Sequence, residues 1–373
     1  MPKFYEFFSG GGMARLGLGD EWKCLLANDI CPKKVSTYID NFGQNEVICK
    51  DIYALNSDEL PGEADLIWGS FPCQDLSLAG NGAGLNGERS GTFKKLVSLI
   101  ADLKKEKRQP KIVVLENVVG AITSHNGRDF FAIMTALTKL GYHVGAMVID
   151  GALFVPQSRP RLFIIATKTR KSKLGNLASR APNPNWHPQN LVLAHDQLST
   201  QLKKKWVWWN LALPQQRTIN LIDVIEADQN DVALLPPKEV DALLNMMSDV
   251  NITKVNKARK QGHLQVGALY KRVRAQADGT KLQRAEVRFD NLAGCLRTPT
   301  GGSSRQTLLF IDGDNTAARL LTRRETARLM GVPETYNLPL KYNDAYHVFG
   351  DGLVVPAVAW LESNILRPLS QLD

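Results

Sequence analysis

Short apolar runs alternate with amphipathic stretches from the start of the chain to about Thr169. Phe4–Phe8, Cys24–Ala27, Glu46–Cys49, Leu66–Trp68, Ile112–Leu115, Val144–Ile149 and Leu162–Ala166 have the length and apolar character of buried strands. Between several of them apolar residues recur at helical spacing, over Pro32–Asn41, Thr92–Lys105 and Arg128–Leu140. This alternation predicts an α/β fold, a mostly parallel sheet covered by helices on both faces. Ligands of such sheets sit outside the carboxyl ends of the strands, so chemistry is expected in the residues that directly follow each strand.

From about Arg170 the rhythm stops. Lys168, Arg170, Lys171 and Lys173 cluster, and Pro182, Pro184 and Pro188 then break the chain. The stretch to about Thr300 reads as a second, smaller domain. Val355–Leu366 is again helical and apolar enough to pack back on the first domain, making that domain discontinuous. The expected boundaries are residues 1–170 and 340–373 for the first domain and 171–339 for the second domain with its hinge.

Composition adds three constraints. No apolar run approaches the ~18 residues of a membrane span, and the first residues do not read as a signal peptide. Five cysteines without Cys-x-x-Cys spacing argue against a disulfide framework or a zinc site, so no metal and a reducing cytoplasmic home are expected. The net charge of +9 favours an anionic partner, nucleic acid first.

The strand ends carry the candidate chemistry. After the first strand comes Phe8-Ser9-Gly10-Gly11-Gly12-Met13, a turn whose glycines let the backbone approach a ligand. Asp29 follows the second strand, where an acid can hold ribose hydroxyls, and Asp51 follows the third. The set fits an adenosine-containing cofactor, but Arg15 stands where the dinucleotide fingerprint needs its last glycine. The fourth strand leads into Gly69-Ser70-Phe71-Pro72-Cys73-Gln74, followed by Gly80, Gly82, Gly84, Gly87 and Gly91. A lone cysteine is usually a small buried hydrophobe. One stiffened by proline at a strand end beside a glycine-rich loop reads as a nucleophile beneath a lid. Glu116-Asn117-Val118 closes the fifth strand, and Gln157, Arg159 and Arg161 alternate so that the two arginines share a face of an extended segment.

These motifs, in this order, resemble those of the DNA cytosine-C5 methyltransferase family: Phe-x-Gly-x-Gly at Phe8–Gly12, Pro-Cys at Pro72-Cys73, Glu-Asn-Val at Glu116–Val118 and Gln-x-Arg-x-Arg at Gln157–Arg161. Leu321–Pro333 and Gly350–Pro356 are similar to the family's two closing motifs. The resemblance spans about Phe4–Thr169 and Leu292–Leu366. It implies the Rossmann-like methyltransferase sheet with a target-recognition domain, S-adenosyl-L-methionine as methyl donor and S-adenosyl-L-homocysteine as product. It implies a cofactor site of Phe8, Gly10, Gly12, Asp29, Ile30, Asp51, Ile52, Ser70, Pro72, Asp351 and Gly352. The catalytic set it implies is Cys73, Glu116, Arg159 and Arg161: Cys73 attacks cytosine C6, Glu116 protonates N3, Arg161 holds O2 and Arg159 helps order the catalytic loop. Three positions depart from the family pattern. Asp351 stands for the usual asparagine, Gly352 for serine or alanine, and Ala79 for a serine that some members insert into DNA.

A target base inside a duplex must be flipped out, and the Gly80–Gly91 loop is placed to close over it. Ten Lys and Arg residues fall in Lys254–Arg288 against Asp278 and Glu286, so this stretch is expected on DNA, with Arg272, Arg274, Arg284 and Arg288, and Gln157 outside it, as contacts. Lys203–Trp209 mixes lysines and tryptophans, and a core strand explains it as well as base stacking does. The scattered histidines, His125, His143, His263 and His347 among them, read as structural or surface residues. The expected function is methylation of a specific duplex DNA sequence by a monomer, off the membrane, with a cognate restriction endonuclease as candidate partner. The alternatives are a transfer-RNA methyltransferase, a catalytically silent DNA-binding protein and a nicotinamide oxidoreductase.

Overall fold

The computed structural model describes residues 1–72, 91–226, 232–275, 279–298 and 305–372. They form two compact units, Met1–Asp150 with Pro160–Gln215 and Val355–Asp373, and Gly151–Arg159 with Gln216–Val354.

In the first unit the chain runs β1 (Lys3–Phe7), α1 (Met13–Leu18), β2 (Lys23–Asp29), α2 (Pro32–Phe42), β3 (Val47–Cys49), β4 (Leu66–Gly69), α3 (Thr92–Lys105), β5 (Ile112–Val118), α4 (Arg128–Lys139), β6 (His143–Asp150) and β7 (Pro160–Thr167). Among the described residues the sheet has seven strands in the order β3-β2-β1-β4-β5-β7-β6. β1 to β5 are parallel, and β7 runs antiparallel between β5 and β6. The expected α/β fold is therefore the observed one. β4 is buried along its whole length, as a central strand apolar on both faces must be. α3 buries Phe93, Leu96, Leu99, Ile100 and Leu103, and α4 buries Phe130, Ile133, Met134 and Leu137, each a stripe at helical spacing.

The boundary after β7 differs from the expected residue 170. β8 (Ala178–Ser179), α5 (Gln189–Asp196), α6 (Thr200–Lys205) and β9 (Trp208–Trp209) stay with the first unit. Val207 N donates to Val144 O on β6 at 2.9 Å. Gly145 makes that approach possible, since a Cβ there would lie 2.1 Å from Val207 O. Trp206, Trp208 and Trp209 are 3%, 8% and 0% exposed, so Trp206–Trp209 is core and not a base-stacking platform, and Lys204 before it is exposed.

The second unit holds α7 (Pro237–Asn245), α8 (Asp249–Arg259), β10 (Gln265–Ala275), β11 (Lys281–Arg288), β12 (Thr307–Asp312), β13 (Asn315–Leu320), α9 (Arg323–Arg328) and α10 (Tyr342–Asp351). Its antiparallel sheet has the order β11-β10-β12-β13. Val240, Leu243 and Val255 from the helices meet Leu269, Val287, Leu309 and Ile311 from the sheet in one core. Arg319 and Glu325 pair bidentately at 2.6 and 2.7 Å with both side chains fully buried. Glu325 also closes a capping box with Thr322 at the start of α9, so its carboxylate is satisfied on both oxygens. The boundary near residue 340 also differs from expectation, because α10 belongs to this unit.

The chain then returns to the first unit as α11 (Val355–Leu361), which continues through a π turn (Glu362–Leu366) into α12 (Arg367–Gln371). Trp22 Nε1 donates to Glu362 Oε1 at 2.9 Å, and Arg367 Nε donates to the same oxygen at 2.8 Å. No helix among the described residues is long and apolar enough to cross a membrane.

Candidate active site

The carboxyl edge of the first unit's sheet gathers the turn after β1, the ends of β2 and β5, and the start of β7. Glycine permits the turn. Gly12 sits at φ +78, where a Cβ would lie 2.4 Å from the Phe42 ring. At Gly10, φ +56, the space a Cβ would take is open. Asp29 locks this turn to β2. Its Oδ2 accepts from Gly10 N at 2.9 Å and its Oδ1 from Cys31 N at 2.8 Å. Each oxygen keeps a lone pair for a further donor. Next to it Ile30 is 63% exposed, an apolar side chain offered to solvent. Asp51 is exposed and caps a turn by accepting from Tyr53 N at 3.0 Å, while Ile52 behind it is buried. Ser70 Oγ accepts from Trp68 Nε1 at 3.1 Å.

Glu6 was not among the residues expected to matter. It is 2% exposed in a strand otherwise apolar from Phe4 to Phe7. Its carboxylate accepts the backbone N–H groups of Ala14 and Arg15 in the first turn of α1. Burial, reinforced weakly by Asp29, pushes its pKa up to about 8, against the pull of Arg15 and those two donors. Its Oε2, and Oγ of the neighbouring Ser9, are buried with no hydrogen-bond partner. An acid inside an apolar strand was the signal in the sequence that could have flagged it.

Glu116 and Arg161 lie diagonally across β5 and β7 on one sheet face, since Glu116 opposes Phe163 and Arg161 opposes Val118. Arg161 Nε meets Glu116 Oε1 at 3.0 Å, with both side chains largely buried. Asn117 Nδ2 donates to Phe71 O at 3.2 Å, tying the end of β5 to the residue before Pro72. Cys73 and the loop to residue 90 lie outside the described residues.

Four further expected residues lie in the second unit. Arg159 is 2% exposed and donates to Leu296 O, Gly350 O and Gly352 O at 2.9, 2.8 and 2.8 Å. Gly352 thus meets Arg159 through its carbonyl, and Asp351 beside it is exposed. Gln157, expected at the DNA, is fully buried: its amide donates to Leu329 O at 2.7 Å and accepts from Leu296 N at 2.9 Å. That geometry gives it no surface to offer a duplex.

The first unit's edge fits an adenosine cofactor. It has an open backbone at Gly10, acids at Asp29 and Asp51, the exposed Ile30 side chain and the buried unpartnered oxygen of Ser9. The profile of C-5 cytosine-specific DNA methylases matches residues 2–367. The Type II methyltransferase M.BsuFI of Bacillus subtilis is 25% identical over 358 residues, covering 95% of this chain and 70% of the relative. M.DsaV of Dactylococcopsis salina, also a Type II methyltransferase, is 25% identical over 366 residues, covering 98% and 86%. The crystal structure of S. pombe Dnmt2 methyltransferase superposes over 99% of both chains with a TM-score of 0.64 at 19% identity, a likeness of fold.

Proposed function

The chain belongs to the C-5 cytosine-specific DNA methylase family and is a DNA (cytosine-5-)-methyltransferase; on that premise we propose that it methylates C5 of a cytosine flipped out of a specific duplex sequence, with Cys73 as nucleophile and Glu116 serving N3. The observation that carries this reading is the Glu116–Arg161 pair beside the Asn117–Phe71 tether, because the strand that bears the acid is tied to the residue directly before Pro72-Cys73.

Cytosine C5 is a poor nucleophile. Addition of the Cys73 thiolate to C6 makes C5 enamine-like and puts electron density on N3 and O2. Glu116, carrying a proton, relieves N3, and the Arg161 guanidinium stabilises O2 while fixing the Glu116 carboxyl from the neighbouring strand. Asn117 holds Phe71, two residues before Cys73 in the sequence, against the end of β5 that carries Glu116. When bound, S-adenosylmethionine supplies a methyl group activated by its sulfonium. Asp29 and Asp51 would hold its hydroxyl and amino donors, with the exposed Ile30 side chain and the Phe8–Gly12 turn beside them. A base then removes the C5 proton, and Cys73 leaves. The protein acts as a monomer in the cytoplasm, off the membrane, beside a cognate restriction endonuclease.

The test is incubation with labelled methyl donor and either duplex DNA or RNA, then nucleoside analysis. Label is expected in 5-methyldeoxycytidine, and label confined to RNA would replace DNA as the substrate. Duplex DNA containing 5-fluorocytosine is expected to trap a protein adduct that Cys73→Ala abolishes. An adduct persisting in that variant would assign the attack to another residue.

A further inference from the structure

The outer half of the β10–β11 hairpin stands beyond the sheet that carries it. β12 pairs with β10 only over Gln265–Leu269, whereas β11 follows β10 out to the Ala275–Lys281 pair. Lys271 to Ala275 and Lys281 to Gln283 are all exposed, so both faces of this two-stranded ribbon are open. At ~3.4 Å per residue its five outer positions reach about 17 Å. A ribbon of this build fits the major groove of B-DNA, ~12 Å wide and ~8.5 Å deep.

Register decides what the ribbon presents. Arg272 opposes Arg284, Arg274 opposes Leu282, Tyr270 opposes Glu286 and Ala268 opposes Arg288. Cross-strand partners and alternate residues share a face, so all four arginines lie on the same one. Two of them are occupied. Arg274 Nε reaches Glu286 Oε1 at 2.6 Å, and Arg288 pairs with both oxygens of Asp290 at 2.7 and 2.5 Å. The other two have no carboxylate partner among the described residues. Arg272 is stacked 4.6 Å over the Tyr270 ring, which orients its guanidinium and leaves the edge of the fork to donate. Like charges directly opposite each other weaken a strand pair, and an electron-rich ligand across them reverses that.

We propose that this ribbon enters the major groove of the substrate duplex, with Arg272 and Arg284 gripping guanine, while Arg274 and Arg288 hold its shape through Glu286 and Asp290. The inference rests on duplex DNA being the substrate.

The full chain is offered a pool of randomised duplexes. Bound duplexes are sequenced, methylated cytosines are mapped by bisulfite conversion, and affinities are measured over a salt series. Wild type is expected to enrich one site containing guanine. Arg272→Ala and Arg284→Ala each lose preference at one position by roughly tenfold to a hundredfold. Arg272→Lys and Arg284→Lys keep the charge and the salt slope but lose the same preference, because lysine lacks the fork. Arg274→Ala and Arg288→Ala remove the pairs that hold the ribbon and are expected to weaken binding to all sequences alike, with no loss of preference at a single position. Alanine variants of Arg272 and Arg284 that weaken all sequences alike and lower the salt slope by about one would make them phosphate contacts and overturn guanine reading. Unchanged enrichment and slope would remove the ribbon from DNA altogether. A wild type that enriches a site yet methylates nothing would refute the enzymatic reading, and the enrichment data would still judge the ribbon.

Discussion

Replacing Glu6 with glutamine tests whether a buried acid limits this protein's stability above neutral pH. In the folded chain the Glu6 carboxyl titrates at about 8, and in the unfolded chain near its ordinary value of 4.5. Below 4.5 both states hold the proton, and the group's contribution to stability is fully present. As pH rises toward 8, unfolding releases a proton that the folded state retains, so stability falls by ~1.4 kcal/mol per pH unit. The loss is roughly 3 kcal/mol at pH 7 and approaches about 5 kcal/mol above pH 8. Set against a typical total of ~5–15 kcal/mol, that is large enough to measure directly. Glutamine keeps the shape and an acceptor for the Ala14 and Arg15 N–H groups, and its amide nitrogen takes the place of Oε2, which has no partner to lose. Two neighbours do not confuse the reading. Burial pushes the Cys24 thiol up to about 12 and the Tyr38 phenol well above its usual range, so both stay neutral across the window. Urea unfolding of wild type and Glu6→Gln from pH 5 to pH 9 is the assay. The two curves are expected to lie within about 1 kcal/mol at pH 5 and to separate by several kcal/mol at pH 9, glutamine the more stable. Parallel curves across the whole range would refute the argument.

Glu116→Gln is expected to lower single-turnover methylation ~10²–10⁴-fold while donor affinity by calorimetry stays near wild type, as loss of a general acid predicts; a near-normal rate would take Glu116 out of the mechanism. Asp51→Ala is expected to weaken donor binding with little change in melting temperature, because the Asp51 carboxylate is exposed. Asp29→Ala is expected to weaken donor binding and stability together, since two backbone donors lose their acceptor, and identical behaviour of the two variants would contradict this division of roles. Arg159→Ala leaves two buried carbonyls and one partly buried carbonyl without this donor and is expected to cost on the order of 3 kcal/mol by thermal denaturation, with Arg159→Lys restoring only part of it.

Much of the first unit was legible in the sequence because its determinants are local. A parallel strand buried on both faces must be an unbroken apolar run, and a covering helix must carry an apolar stripe. Thr92–Lys105 was therefore bounded to the residue and Arg128–Lys139 to within one. The positions of the candidate residues were equally readable, since Asp29, Glu116 and Arg161 lie at or near the ends of strands whose places the pattern revealed, and Asp51 lies two residues after one. What only the tertiary structure decided depends on partners far apart in the chain. Trp206 to Trp209 are core because β6 offers Val144 and the bare Gly145 to receive them, about sixty residues away. Gln157 is buried because Leu296 and Leu329 lie more than a hundred residues beyond it. The basic hairpin shows the difference most plainly. Composition marked four arginines as equivalent, but the strand register put them on one face, and the reach of Glu286 and Asp290 left Arg272 and Arg284 without a carboxylate among the described residues. Burial and cross-strand charge pairing are properties of the space around a side chain, and for Gln157, the tryptophans and Arg274 that space is filled by residues its sequence neighbours do not specify.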